Sequence, residues 1–212
     1  VAELVATLLR RGTEKRNAVQ ISEEIEFLGG SLGASVGNDG FTVSLDVLSK
    51  DIDAGLELFA DVLRNSNFPQ SELDRERQLS ISELKSIGEE PRAVAGVVTT
   101  QAEFAGHPYG ATPTITSLSS IQRDDILAYY QENLNPKEMT LIAVGDFKAA
   151  ELAEKLRSRF ADWKVVSGGP VLYQIKGMPT QKTQILVDKP DSTQTQVRLF
   201  RSGIPIKHPD TY

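Results

Sequence analysis

Residues 17–47 read NAVQISEEIEFLGGSLGASVGNDGFTVSLDV, and within them the hydrophobic period changes from helical to alternating. Over Asn17 to Leu28, the residues Val19, Ile21, Ile25 and Leu28 form a helical stripe, Asn17 can cap, and Gly29-Gly30 stops the helix. From Ser31 the apolar positions fall on every second residue: Leu32, Ala34 and Val36, then Phe41, Val43, Leu45 and Val47 beyond Asn38-Asp39-Gly40. An Asp-Gly step between two alternating runs predicts a β-hairpin. A helix feeding an antiparallel hairpin sets the class as α/β (α+β).

Outward from this stretch, Leu4, Val5, Leu8 and Leu9 predict a helix over 2–11 that ends in Arg10, Arg11 and Gly12. Beyond the hairpin, Leu56, Phe59, Ala60 and Leu63 predict a helix over 51–64, closed by Phe68-Pro69. Ser71, three residues before Asp74, opens a charged helix to about Ile87. Pro91 begins another through Phe104, and Ser120 can cap a helix from about Gln122 to Asn133. Met139 to Gly145 is almost wholly apolar and reads as a buried strand; a helix over 148–161 and strands over 183–188 and 195–201 follow. Gly168, Gly169, Pro170 and Gly177 mark a linker between about 164 and 182. Helices of this kind can cover one face of a mainly antiparallel sheet.

Composition excludes several functions. The 212 residues are 40% hydrophobic and 25% charged, and the longest apolar run is a few residues, far short of the roughly 18 that a membrane span requires. With 23 Lys+Arg against 29 Asp+Glu and no basic block, the chain lacks the cationic face that nucleic acid needs. The absence of cysteine excludes disulfides and thiol catalysis, and there are two histidines, His107 and His208. No Gly-x-Ser-x-Gly elbow or phosphate-binding Gly-x-x-x-x-Gly-Lys loop occurs. The opening at Val1 and the turn-rich end at 205–212 lead us to expect a piece of a longer chain.

Three segments carry a resemblance. The first is Arg11-Gly12-Thr13-Glu14-Lys15-Arg16 with Leu28-Gly29-Gly30-Ser31-Leu32; the second is Phe68-Pro69 with Glu72 to Arg77 and Glu83; the third is His107-Pro108-Tyr109-Gly110 with Met139 to Asp146. In this order they resemble the insulinase/pitrilysin family of zinc peptidases, M16. The resemblance implies paired α/β halves around a proteolytic chamber: 1–163 as a first half without its opening strands, 164–182 as linker, and 183–212 as the opening strands of a second half.

Such peptidases hold zinc with His-x-x-Glu-His on a helix, whose glutamate is the general base, and with a distal glutamate. The matching positions here are Glu3, Ala6 and Thr7, with Glu83 at the distal ligand position and 75 residues between it and Thr7. A methyl group neither accepts a proton nor binds metal, so the resemblance implies a chain without catalytic residues or a zinc of its own. His107 matches a structural position, His208 matches nothing, and Glu72 to Arg77 reads as a solvated helix face. Glu83 reads first as an ordinary surface carboxylate and only second as a relic of that ligand. At the family's peptide-binding edge strand the positions are Gly33 and Ala34, where glycine keeps the backbone groups for strand addition but loses a side-chain amide; Gly33 could instead relieve a strand bend.

The expected role is a non-catalytic subunit in a heterodimer with a His-x-x-Glu-His homologue that carries the zinc, contacting unfolded peptides, with a bacterial periplasm or envelope as the implied location. A structural or binding module with no proteolytic role is the alternative, and an active peptidase that draws its ligands from other sequence is a third.

Overall fold

The computed structural model describes residues 1–163, 173, 182–190, 192–201, 203–204 and 208–211. Most of the expected linker, 164–182, lies outside the described residues. Contacts divide the chain into two compact units, residues 1–79 with 118–170 and residues 80–117 with 171–212.

The first unit opens with helix α1 (Ala2–Leu8), whose Leu4, Val5 and Leu8 are buried, and helix α2 (Ala18–Phe27). Asn17 caps α2 as the sequence predicts: its Oδ1 accepts the Gln20 N–H at 3.0 Å while Gln20 Oε1 accepts the Asn17 N–H at 2.9 Å. This reciprocal capping box satisfies two otherwise orphaned donors. Gly29 then takes φ 62°, the left-handed turn that favours glycine. Gly30 is required by space, because a Cβ there would lie 2.3 Å from the Asp46 carbonyl oxygen.

Strands β1 (Ser31–Val36) and β2 (Phe41–Asp46) pair antiparallel, with Ser31 opposite Asp46 and Val36 opposite Phe41. Helix α3 (Ile52–Asn65) packs on α2 and β2, and helix α4 (Gln70–Glu89) follows; the division between the two units falls inside α4. Helix α5 (Pro91–Glu103) belongs to the second unit, and the short helix α6 (Ile115–Ser120) lies across the other division point. Helix α7 (Arg123–Asn133) returns to pack on α1, and helix α8 (Ala149–Phe160) packs on α3. The first unit's core joins Val5, Leu8 and Leu9 to Leu58, Val62, Phe68, Leu73 and Ile126, all nearly inaccessible to solvent.

In the second unit, Phe104, His107, Tyr109 and Tyr173 form an aromatic cluster. No helix among the described residues is long and apolar enough to cross a membrane.

The α/β class holds, with the sheet limited to the β1–β2 ladder among the described residues. Met139–Gly145 is not a buried strand: it joins no ladder among the described residues, and Ile142 and Val144 are 83% and 94% exposed. Residues 183–188 and 195–201 likewise form no ladder among the described residues, and Leu199 is 99% exposed. Each run has strand-like composition, but a strand exists only when a neighbour takes up its backbone N–H and C=O groups.

Val19 does not join the core stripe. It lies two residues before Ile21, about 200° around the helix, and so faces solvent while Ile21 and Ile25 are buried. Ser120 is not the cap of α7 but the last residue of α6; the N-cap is Gln122, whose N–H is taken by Asp125 Oδ2 at 2.8 Å.

Candidate functional site

Positions 3, 6 and 7 are spaced i, i+3, i+4, which places Glu3, Ala6 and Thr7 on one face of α1. Glu3 is exposed, Thr7 is half-buried, and Ala6 is 3% exposed. Between two positions that would need imidazoles stands a buried methyl group. Glu83 is an exposed residue of α4, in the other unit. A catalytic zinc takes three nitrogen, oxygen or sulfur ligands and leaves one position open for water. The donors supplied by α1 are one carboxylate and one hydroxyl, which do not fit that requirement. No group of three His, Cys, Asp or Glu side chains able to hold a metal occurs among the described residues. Incubation with excess zinc followed by gel filtration should leave the protein well below one metal per chain by atomic absorption; stoichiometric zinc would overturn this reading of α1.

His107 has a structural place. It is nearly buried, its Nδ1 accepts the Tyr109 N–H at 3.2 Å, and its ring meets Tyr109 edge-on at 4.4 Å. His208 is exposed, with Nδ1 accepting the Asp210 N–H at 3.2 Å.

Gly33 and Ala34 sit side by side in β1, opposite Ser44 and Val43. No bulge interrupts the register at Gly33, so the glycine does not relieve a bend. A Cβ there would lie 2.8 Å from Ser44 Oγ, a side chain free to rotate, so space does not demand glycine either. The Gly37 N–H donates to the Gly40 carbonyl at 2.9 Å, which fixes the phase of the ladder. Counting back in twos, Ser35, Gly33 and Ser31 point their backbone groups at β2, while Val36, Ala34 and Leu32 point theirs to the outer edge. The Leu32 carbonyl confirms the phase, since it accepts from Arg10 Nη1 at 2.9 Å.

The segment after α1 is fastened by a network with no local sequence signal. Asp61 of α3 is 5% exposed. Its Oδ2 accepts Thr13 Oγ1–H at 2.8 Å and Arg16 Nη1–H at 2.6 Å, and its Oδ1 accepts Asn65 Nδ2–H at 2.8 Å. Burial acts to raise the Asp61 pKa, but the hydrogen bonds from Asn65, Thr13 and Arg16, with the Arg16 charge, outweigh it and hold the carboxyl below its ordinary range. Arg16 also bonds Glu24 through Nε, at 2.9 and 2.8 Å to the two carboxylate oxygens.

Glu76 departs from the expected solvated face. It is buried, and Arg11 Nη2 lies 2.8 Å from its Oε1 in an ion-pair contact too bent to count as a hydrogen bond. Arg77 does make the intrahelical pair expected of that face, with Asp74 at 2.9 Å.

Fold and site together define an α/β unit in which helix α1 packs against strand β1 of an antiparallel hairpin. The chain belongs to the peptidase family M16: the model "Insulinase (Peptidase family M16)" matches residues 1–114, and "Peptidase M16 inactive domain" matches residues 120–212. A probable mitochondrial-processing peptidase subunit beta of Arabidopsis thaliana is 26% identical over 209 residues, 97% of this chain and 37% of that protein. The mitochondrial-processing peptidase subunit beta of Dictyostelium discoideum is 29% identical over 168 residues, 78% of this chain and 36% of that protein. The chain thus spans little more than a third of the length of these relatives. The crystal structure of a peptidase M16 inactive domain from Pseudomonas fluorescens superposes with a TM-score of 0.75 at 20% identity, covering 84% of this chain and 43% of that one. It establishes likeness of fold.

Proposed function

We propose that this protein is a non-catalytic M16 subunit that pairs with a zinc-bearing His-x-x-Glu-His homologue, forms part of the chamber wall, and binds extended peptide along the outer edge of β1. The observation that carries the reading is the buried Ala6 at the general-base position, beside an edge strand whose Ala34 and Val36 backbone groups point outward. The helix has lost its chemistry while the strand retains the donors and acceptors through which peptides are held. The match of residues 120–212 to an inactive domain, and relatives that are themselves named as subunits, support a two-component arrangement. In this reading zinc resides in the partner, residues 183–212 begin the second α/β half, and the assembly works in a bacterial periplasm or envelope.

The test is co-purification of the full-length protein with a His-x-x-Glu-His homologue encoded beside it, followed by cleavage assays on unfolded peptides. The expected result is a stable complex whose activity is at least about tenfold that of the homologue alone, a barrier change of about 1.4 kcal/mol. Association without stimulation would favour a purely structural module, and absence of association would overturn the proposal.

A further inference from the structure

We propose that Arg10 is a register stop on the open edge of β1, confining an added peptide strand to the stretch Ala34–Val36. This rests on the peptide-edge reading above and adds to it the length and alignment of the segment that the edge accepts.

The hairpin supplies one boundary. Beyond Val36, Gly37 pairs inward with Gly40 and the chain reverses through Asn38-Asp39, so β1 offers no further outward-pointing residue there. At the other end the outward acceptor is the Leu32 carbonyl, and Arg10 Nη1 occupies it at 2.9 Å. A strand adding to β1 would lie about 4.8 Å away and seek that carbonyl as its next acceptor. It meets a guanidinium instead, which offers donors only and carries charge. Between the two boundaries, Ala34 and Val36 present outward N–H and C=O groups with no partner among the described residues, over about 10 Å of strand at about 3.3 Å per residue.

Side chains along this stretch do little to align a peptide, since Gly33 has none, Ala34 a methyl, and Leu32 is buried. A backbone ladder without side-chain keys slips readily, and a fixed stop at one end removes the slip. Arg10 Nε is buried with no hydrogen-bond partner, so the guanidinium is tied to the strand through the single bond at Leu32. The ligand class is therefore a short extended peptide segment with free N–H groups where it faces Ala34 and Val36, which excludes proline at those contacts.

The experiment compares the full-length protein with Arg10→Met, which keeps an apolar stem and removes the donors, using capped peptides of alternating Thr and Val in increasing length. Binding is read by fluorescence anisotropy. For the unmodified protein, affinity should level off once the peptide spans Ala34–Val36. For Arg10→Met it should continue to rise over the next two residues, by about threefold to tenfold, as one further backbone hydrogen bond forms. The same plateau in both proteins would overturn the role of Arg10 while leaving the peptide edge standing. No binding by either would overturn the edge itself, and the stop with it. Arg10→Gln, whose shorter amide falls short of Leu32, serves for the same comparison where Arg10→Met does not unfold cooperatively.

Discussion

Replacing Asp61 with alanine should lower the unfolding free energy by about 3–5 kcal/mol, the usual loss when one partner of a buried ion pair is removed. The loss exceeds that of a surface ion pair because Arg16 has 15% of its side chain exposed and Asp61 has 4%; Arg16 keeps Glu24 through Nε, but its Nη1 loses its acceptor where little water can replace it. Thr13 Oγ1 and Asn65 Nδ2 would lose their acceptor in the same step. The network also joins the segment after α1 to α3: Thr13 bridges to Ser66, the Asn67 N–H donates to the Gly12 carbonyl at 3.1 Å, and the Glu14 N–H to the Asn65 carbonyl at 3.1 Å. Urea denaturation measures the effect, and a change below about 1 kcal/mol would show that the network contributes little.

The sign of the pH dependence follows from the depressed Asp61 pKa. A carboxyl whose folded pKa lies below its unfolded value of about 3.9 contributes stability in full above that value and loses it as pH falls through the folded pKa. Asp61→Asn should therefore flatten the acid limb of stability below about pH 4 and be least different from wild type at the lowest pH.

Phe68→Ala should cost about 3–5 kcal/mol, the range for removing a fully buried aromatic ring. The ring lies edge-on to Tyr130 at 5.1 Å, and Tyr130 donates its hydroxyl to the Leu63 carbonyl at 2.6 Å. Burial pushes the Tyr130 pKa up to about 12, so the hydroxyl remains protonated as a donor throughout the neutral range. Phe68 also holds φ 47°, a left-handed conformation that costs a non-glycine residue about 1–3 kcal/mol. Arg123 secures this turn by donating Nε–H to the Phe68 carbonyl at 2.9 Å and Nη2–H to the Asn67 carbonyl at 2.7 Å. Alanine keeps the backbone strain and loses the ring, whereas glycine loses the ring and the strain together. Thermal unfolding should accordingly place Phe68→Gly at or above Phe68→Ala; the opposite order would show that the turn relaxes when the ring is gone.

Much of the site could be read in sequence because its features are local. The Asn17 cap, the Gly29-Gly30 stop and the hairpin depend on neighbours within a few residues, and the structure has them where expected. The placing of Glu3, Ala6 and Thr7 on one face of a helix needs only their i, i+3, i+4 spacing. Arg10 and Glu76 could not be found this way. Each is an unremarkable charge on a helical segment, and each acquires its meaning from a partner far along the chain, Leu32 for one and Arg11 for the other. Val19 is the opposite case: its apolar side chain lies close to the stripe in sequence, but its angle on the helix sends it to water.

By itself, then, the sequence determined the α/β class and the family resemblance, since a change of hydrophobic period and a few short motifs are all that these require. The tertiary structure alone decided which of the apolar runs pair. Phe41–Asp46 found a neighbour across a tight turn, while Met139–Gly145 has none among the described residues. It alone also brought Arg10 Nη1 to the outward-facing Leu32 carbonyl, because the direction of a backbone carbonyl is fixed by the register of the ladder and not by the residue that bears it.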